Sequence, residues 1–502
     1  MQNTFAPISR IPPDVLSLIP DYWERLRDRD WRDADRDVVS LTHVCRGWRE
    51  IFTSRSSLWT HLDCKNSDKT HAYIERSRSL PLEVSAVQSD RTYSNDILLG
   101  LAPHTNRFGS LSIYLPSQTL QDGVLDHFTS PAPLLKKLKI VLGRKYSHSN
   151  ASILSTIFPE HLSPLRDLSL SGVATHLPWR NLSNLTTFRF THPQVPVHPL
   201  FMRQLLDFFE STPLIRKIVL CDSIPDSPTV LHGRVVPLIN LENLTVDPLP
   251  AHSPFLDHLS IPTGASLDLD FLWPPGPRIP VCFSNAFHNL RHITTISLFL
   301  DVLEVSDMRL SGPSGELRTT GYPEISQIFH SLRKLDLSKT QIMSVTMPPD
   351  GTLEDLENST IPRFLLPLCN LRTLTLTRVD NLIPFIQALN PKQNESCTVL
   401  CPELKELVLY IEELDWYYVE ELKEMLLERN RRHSDLSSIT IVGLGEAYAR
   451  SEVMSLGRYV SHLTYKTQES APECEDVFGG TGGWDNDREW DLSPDPFELL
   501  AG

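Results

Sequence analysis

"LRTLTL" occupies residues 371–376, and "LKELVL" at 404–409 has the same form. Apolar residues stand at i, i+3 and i+5. The last two are two apart, so they point to one side of a short strand, and the residue between them points to the other. The first apolar residue closes the turn that leads in. "LRKLDL" at 332–337, "LRDLSL" at 165–170 and "LENLTV" at 241–246 repeat the pattern. Weaker copies begin at 135, 185, 215, 293 and 436, and "FGSLSI" at 108 reads as the first. A short strand motif recurring between helix-like or loop spacers predicts a leucine-rich solenoid.

The array is irregular. Successive motifs start 20 to 52 residues apart. A regular leucine-rich repeat places Asn or Cys three residues after the second strand leucine. Here those positions hold Val173, Ser223, Thr340, Val379 and Glu412. The fold class expected is therefore an α/β solenoid, an irregular horseshoe with a parallel sheet over residues 63–466. The proline-rich stretch 248–280 is expected to be a distorted repeat. "LDWYYVEELKEMLLERN" (414–430) reads as a spacer helix with Leu414, Tyr418, Leu422, Met425 and Leu426 on one face. Strand residues facing away from the core should line the concave side: Ser169, Ser171, Asp336, Ser338, Thr375, Thr377, Val408 and Tyr410. This mixed set of hydroxyls, one acid and one tyrosine suits a protein or peptide better than a phosphate.

Composition limits the alternatives. The chain has 502 residues, 39 of them proline, which favours many short elements over long helices. The net charge is −15, and residues 469–498 carry ten acidic side chains against one basic, Arg488. We read 467–502 as a disordered acidic tail. No long basic patch argues for nucleic acid, and no apolar run is long enough to predict a membrane span. The opening "MQNTFAPISRIPP" has no apolar h-region, so a cytoplasmic or nuclear chain is expected. The eight cysteines contain no CxxC pair, and no metal or cofactor is expected.

The first sixty residues differ from the rest. "SRIPPDVLSLI" (9–19) has Ser9 placed to cap a helix, prolines 12 and 13 in its first turn, and a stripe of Ile11, Val15, Leu18 and Ile19 with Leu16 beside it. "LTHVCRGWREIF" (41–52) places Leu41, Val44, Cys45 and Trp48 at i, i+3, i+4 and i+7, the spacing of one helix face. "SLW" (57–59) follows. So short a helical module either forms a small internal core or is completed by a partner.

"IPPDVLSLI", "LTHVCRGWREI" and "SLW", in this order and at nearly the usual distances, resemble an F-box over residues 8–62. The arrangement is similar to the F-box-plus-repeat proteins abundant in mushroom-forming fungi. Ile11 stands where the F-box pattern has leucine. Pro20 stands where a helical phenylalanine is common, and a charged insert follows. The resemblance implies docking on the Skp-type adaptor of a cullin–RING ubiquitin ligase through Ile11, Pro12, Val15, Leu16, Leu41, Val44, Cys45 and Trp48. The repeat region would then hold a protein target. No nucleic acid, membrane or cofactor is implied, and the role is that of a non-catalytic receptor.

Enzymatic motifs are missing. "GGTGG" (479–483) lacks the Lys-Ser/Thr of a phosphate loop, and "GLGEAY" (443–448) lacks the third glycine of a dinucleotide site. His288 and His292 are four apart, but a repeat strand begins beside them and no carboxylate is near.

Overall fold

The computed structural model describes residues 38–87, 95–115, 127–142, 164–172, 182–191, 200–224, 234–250, 253–272, 293–299, 306–313, 315–322, 335–346, 360–377, 383–393, 399–411, 416–444 and 450–468, with residues 12, 15, 16, 18, 19, 22, 158 and 332 besides. The described residues fall into two compact units, one up to Leu272 and one from Ile293 onward. Each is an α/β solenoid built on a largely parallel sheet. The stretches read as the charged insert and the His288/His292 pair lie outside the described residues, as does the acidic tail beyond Gln468.

The strands of the first unit are β1 (His61–Asp63), β2 (Leu82–Val87), β3 (Phe108–Leu115), β4 (Lys137–Leu142), β5 (Asp167–Ser171), β6 (Thr187–Thr191), β7 (Lys217–Cys221), β8 (Val236–Pro237), β9 (Asn243–Pro250), β10 (Leu259–Ser260) and β11 (Ser266–Leu272). Apart from a small β8–β10 pair, they form one parallel sheet in chain order. The register aligns the two strand apolar positions of every repeat. Leu138, Leu168, Phe188, Ile218, Leu244 and Leu267 make one row, and Ile140, Leu170, Phe190, Leu220, Val246 and Leu269 the next. All are buried. Each such side chain removes about 1.5–3 kcal/mol worth of apolar surface from water, and that stacking sets the register.

The residue just before each strand completes the lock. The Lys136 carbonyl accepts from Arg166 N and Asp167 N (2.8 and 3.0 Å), and the Arg166 carbonyl likewise from Thr186 N and Thr187 N. The same two-donor step recurs at Thr186 and Arg216. The absence of an asparagine ladder is partly made good. Ser223 is buried, and its hydroxyl donates to the Phe190 carbonyl of the preceding repeat at 3.1 Å. Behind the sheet pack α1 (Arg46–Ser54), α2 (Ser67–Arg76), α3 (Asn95–Leu101) and α4 (Leu200–Ser211). Aromatic rings fill the interior. Phe108, Phe128 and Phe158 stand in a line at 6.2 and 6.1 Å, and Phe188 meets Phe208 of α4 at 4.5 Å. The stretch read as a distorted repeat, as far as it is described, supplies the end of β9 and all of β11, in register with their neighbours apart from one shift near Asp270.

The second unit contains β12 (Thr295–Phe299), β13 (Ser306–Gly312), β14 (Gly315–Tyr322), β15 (Ile342–Thr346), β16 (Thr373–Thr377), β17 (Glu406–Ile411), β18 (Ser438–Leu444) and β19 (His462–Gln468). Its helices are α5 (Thr360–Leu365), α6 (Ile383–Leu389), α7 (Trp416–Arg431) and α8 (Arg450–Ser455). β12 pairs in parallel with β15, and β15 to β19 continue in parallel. Ile296, Met343, Leu374, Leu407 and Ile439 form one buried row, with Leu298, Val345, Leu376, Leu409 and Ile441 beside it.

Two features depart from the sequence reading. The hairpin β13–β14 is antiparallel and pairs with β12, with Met308, Leu310 and Leu317 buried. Its alternating pattern around Gly312-Pro-Ser-Gly315 has period 2 but not the repeat signature. The other departure concerns "LRKLDL". Leu335 and Leu337 lie in a turn, and the strand begins at Ile342. The true motif is Thr340, Met343 and Val345, one step further on. Asp336 makes the difference: its carboxylate accepts from Ser338 N at 3.1 Å, a side-chain turn that ends extended geometry. Thr340 takes the place of the first leucine. It is buried, and its hydroxyl donates to the Ile293 carbonyl at 3.3 Å. Asp336 and Ser338 therefore do not stand on the strand face that the sequence pattern assigns them.

Candidate functional site

The N-terminal helices offer one surface. Ile11 and Pro20 lie outside the described residues. Pro12 is exposed, and its carbonyl accepts from Leu16 N at 3.0 Å, one turn of helix. Val15, Leu18 and Tyr22 are exposed, whereas Leu16 is buried. The segment 41–52 is not the single helix its spacing predicts. A helical stretch over 38–42 ends at His43, Cys45 is extended, and α1 starts at Arg46. Thr42 Oγ1 donates back to the Val39 carbonyl (2.6 Å), and the Arg49 guanidinium serves as a cap by donating to the Thr42 carbonyl (3.0 Å). These bonds satisfy groups that the break would leave open. As a result Val44 (46% exposed) and Cys45 leave the buried stripe, Leu41 is half-buried, and only Trp48 turns fully inward. Trp48 stacks on Phe52 at 5.6 Å, and its indole N–H has no hydrogen-bond partner among the described residues.

Trp59 ties these helices to the sheet. It is fully buried, donates from Nε1 to the Phe52 carbonyl (3.0 Å), meets Tyr73 of α2 edge-on at 4.8 Å and carries the Arg76 guanidinium over its ring. Two residues later β1 begins and pairs with β2. The Arg107 guanidinium holds the end of α2 through Ser77 Oγ (2.6 Å) and the Ile74 and Leu80 carbonyls.

The sheets provide another surface, the face opposite the buried rows. In the first unit its central row is Ser85, Ser112, Lys139, Ser169, Arg189, Val219, Thr245 and Asp268, a charged and polar mixture. In the second unit the central row is Ser297, Ser344, Thr375, Val408, Thr440 and Thr464. Thr375 and Val408 are register partners on this face, and Tyr410 is half-exposed beside them. Ser169 and Ser171 are half-exposed on the first unit's face. Thr377 is a correction: it pairs with Tyr410 but is fully buried, so it cannot meet a partner directly. The hydroxyls of Ser344, Thr440 and Thr464 are not singled out by the sequence, because their side emerges only from the register.

One edge of the second unit's sheet holds a cavity of about 360 Å³, lined among the described residues by Thr294, Lys339, Gln341, Asn370 and Arg372. Thr294, Gln341 and Arg372 are the pre-strand residues of successive repeats. The Thr294 carbonyl accepts from Gln341 N and Ile342 N, and the Gln341 carbonyl from Arg372 N and Thr373 N. These residues are thereby stacked at one strand spacing. Asn370 Nδ2 donates to the Ser338 carbonyl at 2.5 Å, fixing the turn that carries Lys339. The buried thiols of Cys64 and Cys401 are pushed up to about 12 by loss of solvation, so neither is a ready nucleophile. Among the described residues no group of three or more metal-ligating side chains occurs, and no helix is long and apolar enough to cross a membrane.

No protein-family model and no curated protein matches the chain. Among solved structures, it is similar to an internalin, inlF, from Listeria monocytogenes. The identity is 11%, the TM-score is 0.22, and the match covers 76% of this chain and 85% of that one. So low a score adds no weight of its own. The solenoid assignment rests on the aligned apolar rows described above.

Proposed function

We propose that this chain is the substrate-recognition subunit of a Skp-type adaptor–cullin–RING ubiquitin ligase. Its N-terminal helices would dock on the adaptor, and its repeat sheet would hold a protein target. The coarser half, a repeat-based scaffold for protein interaction, is supported by the sheet faces. They are largely polar and mostly half-exposed. The ligase half rests on the F-box resemblance and on one structural observation that supports it: Val15, Leu18, Tyr22 and Val44 leave their apolar side chains exposed. Exposed apolar side chains within one short helical module are what a partner groove would cover. In such a receptor catalysis is proximity. The subunit raises the target's effective concentration and donates no acid, base or nucleophile.

Val44→Glu tests the docking. Val44 is exposed in the free chain, so the variant should keep its thermal midpoint, while a buried interface would gain an unpaired charge. The full chain co-expressed with a Skp-type adaptor should form a complex measurable by calorimetry, weakened at least tenfold in Val44→Glu. Leu16→Glu is a poor control, since Leu16 is buried and its loss confuses folding with binding. A well-folded wild-type chain that binds no adaptor would leave the interaction scaffold without ligase engagement.

A further inference from the structure

The cavity at Thr294, Lys339, Gln341, Asn370 and Arg372 brings two cations to one opening of a strongly acidic protein. Several other cations of the described chain are neutralised by acids. Arg216 pairs with Glu242, Arg234 with Asp207 and Glu210, Lys392 with Glu424 and Arg431 with Glu428. Lys339 and Arg372 have no ion pair or side-chain hydrogen bond among the described residues. The side-chain amide of Gln341 adds a neutral donor to the same opening. A pocket with a guanidinium, an ammonium and an amide, and no acid in its described lining, is built for carboxylates.

The same unit supplies a source of carboxylates. Residues 469–498 follow β19 directly and carry a local charge of −9, with "ECED" (473–476) and "DNDREWD" (485–491) as its acidic clusters. From Gln468 the path crosses three to four strand spacings and one strand length, roughly 25–30 Å in all. About nine extended residues span that distance, and Asp485 lies seventeen residues on. A segment tethered at this length experiences an effective concentration on the order of millimolar. Two or three exposed ion pairs, individually weak, are then enough to hold it a substantial part of the time.

We propose that the acidic segment 469–498 docks in the Lys339/Arg372 cavity of its own chain and covers that edge of the sheet. A target competing for this edge must displace it. The contact stands independently of adaptor binding.

The test uses a fluorescently labelled synthetic peptide of sequence 469–498 added to the full-length chain at low salt. One protein is wild type. Another carries Glu473→Gln, Glu475→Gln, Asp476→Asn, Asp485→Asn, Asp487→Asn, Glu489→Gln and Asp491→Asn, which removes both acidic clusters of the segment. The peptide should bind the neutralised chain at least tenfold more tightly than wild type. Binding should fall tenfold or more in Arg372→Gln or Lys339→Gln on the neutralised background, and weaken with added salt. Both lining residues are exposed, so unchanged melting curves will show that folding is intact. Equal binding to wild type and neutralised chain would overturn self-docking and assign the cavity to acidic segments of other proteins. Binding indifferent to Arg372 and Lys339, or no binding, would overturn the site itself.

Discussion

At the scale of single residues, Arg429 shows how this solenoid handles a buried charge. It lies on α7 with no exposed surface, and its bonded partners are carbonyls and a hydroxyl. Its guanidinium donates to the Leu400 (2.9 Å), Cys401 (2.8 Å), Ser434 (3.2 Å) and Leu389 (3.5 Å) carbonyls and to Ser434 Oγ (3.0 Å). Burial lowers its pKa to about 10, which still leaves it charged at neutral pH. The fork thus caps the end of α6, the turn before β17 and the end of its own helix. Met fits the volume but takes the donors away from the Leu389, Leu400 and Ser434 carbonyls, while the Cys401 carbonyl keeps the Leu404 N–H at 3.0 Å. Each unsatisfied buried acceptor costs about 1–3 kcal/mol, partly offset by removing the buried charge. We expect Arg429→Met to lower stability by about 2 kcal/mol, read as a shift of the urea midpoint. Its sequence, "LLERNR", reads as an ordinary helix end with solvated cations. Nothing in it marks one arginine as internal.

At the scale of elements, "LRKLDL" and "TQIMSV" separate composition from placement. By composition "LRKLDL" is the better strand motif. The strand is nevertheless formed by "TQIMSV", since Asp336 closes a turn ahead of it and Thr340 can satisfy its hydroxyl inside the core. Met343→Ala should therefore cost about 2–5 kcal/mol, as for other large-to-small changes in a packed row, and Leu335→Ala distinctly less because Leu335 is half-exposed. Comparable losses in urea titrations of the two variants would contradict the register. Segment 41–52 behaves in the same way. A correct apolar spacing concealed a break, because a helix can stop and restart within one turn when side chains such as Thr42 and Arg49 take up the loose backbone groups.

At the scale of the whole molecule, the N-terminal helices and the first sheet belong to one unit, joined through Trp59. Trp59→Ala removes the ring between α1 and α2 and one of the two donors to the Phe52 carbonyl, leaving the Arg55 N–H at 3.3 Å. We expect a loss of about 3–5 kcal/mol and, with it, a weakening of the adaptor docking proposed above. Val44→Glu should lose binding alone. That contrast distinguishes a docking surface from a structural core in one pair of melting and calorimetry experiments.

The sequence by itself determined the repeat. Leucines at i, i+3 and i+5 have few ways to bury themselves except side by side in a parallel sheet, and ten of the eleven expected motif starts lead into observed strands. It also showed the N-terminal module and the uneven charge. Only the tertiary structure decided which hydroxyls share a row, that Thr377 is buried while Thr375 is accessible, and that Lys339 and Arg372 border one cavity. Local pattern determines which side of its own strand a residue takes. Which residues meet across repeats depends on register and on intervening turns, and those are set by packing between segments far apart in the chain.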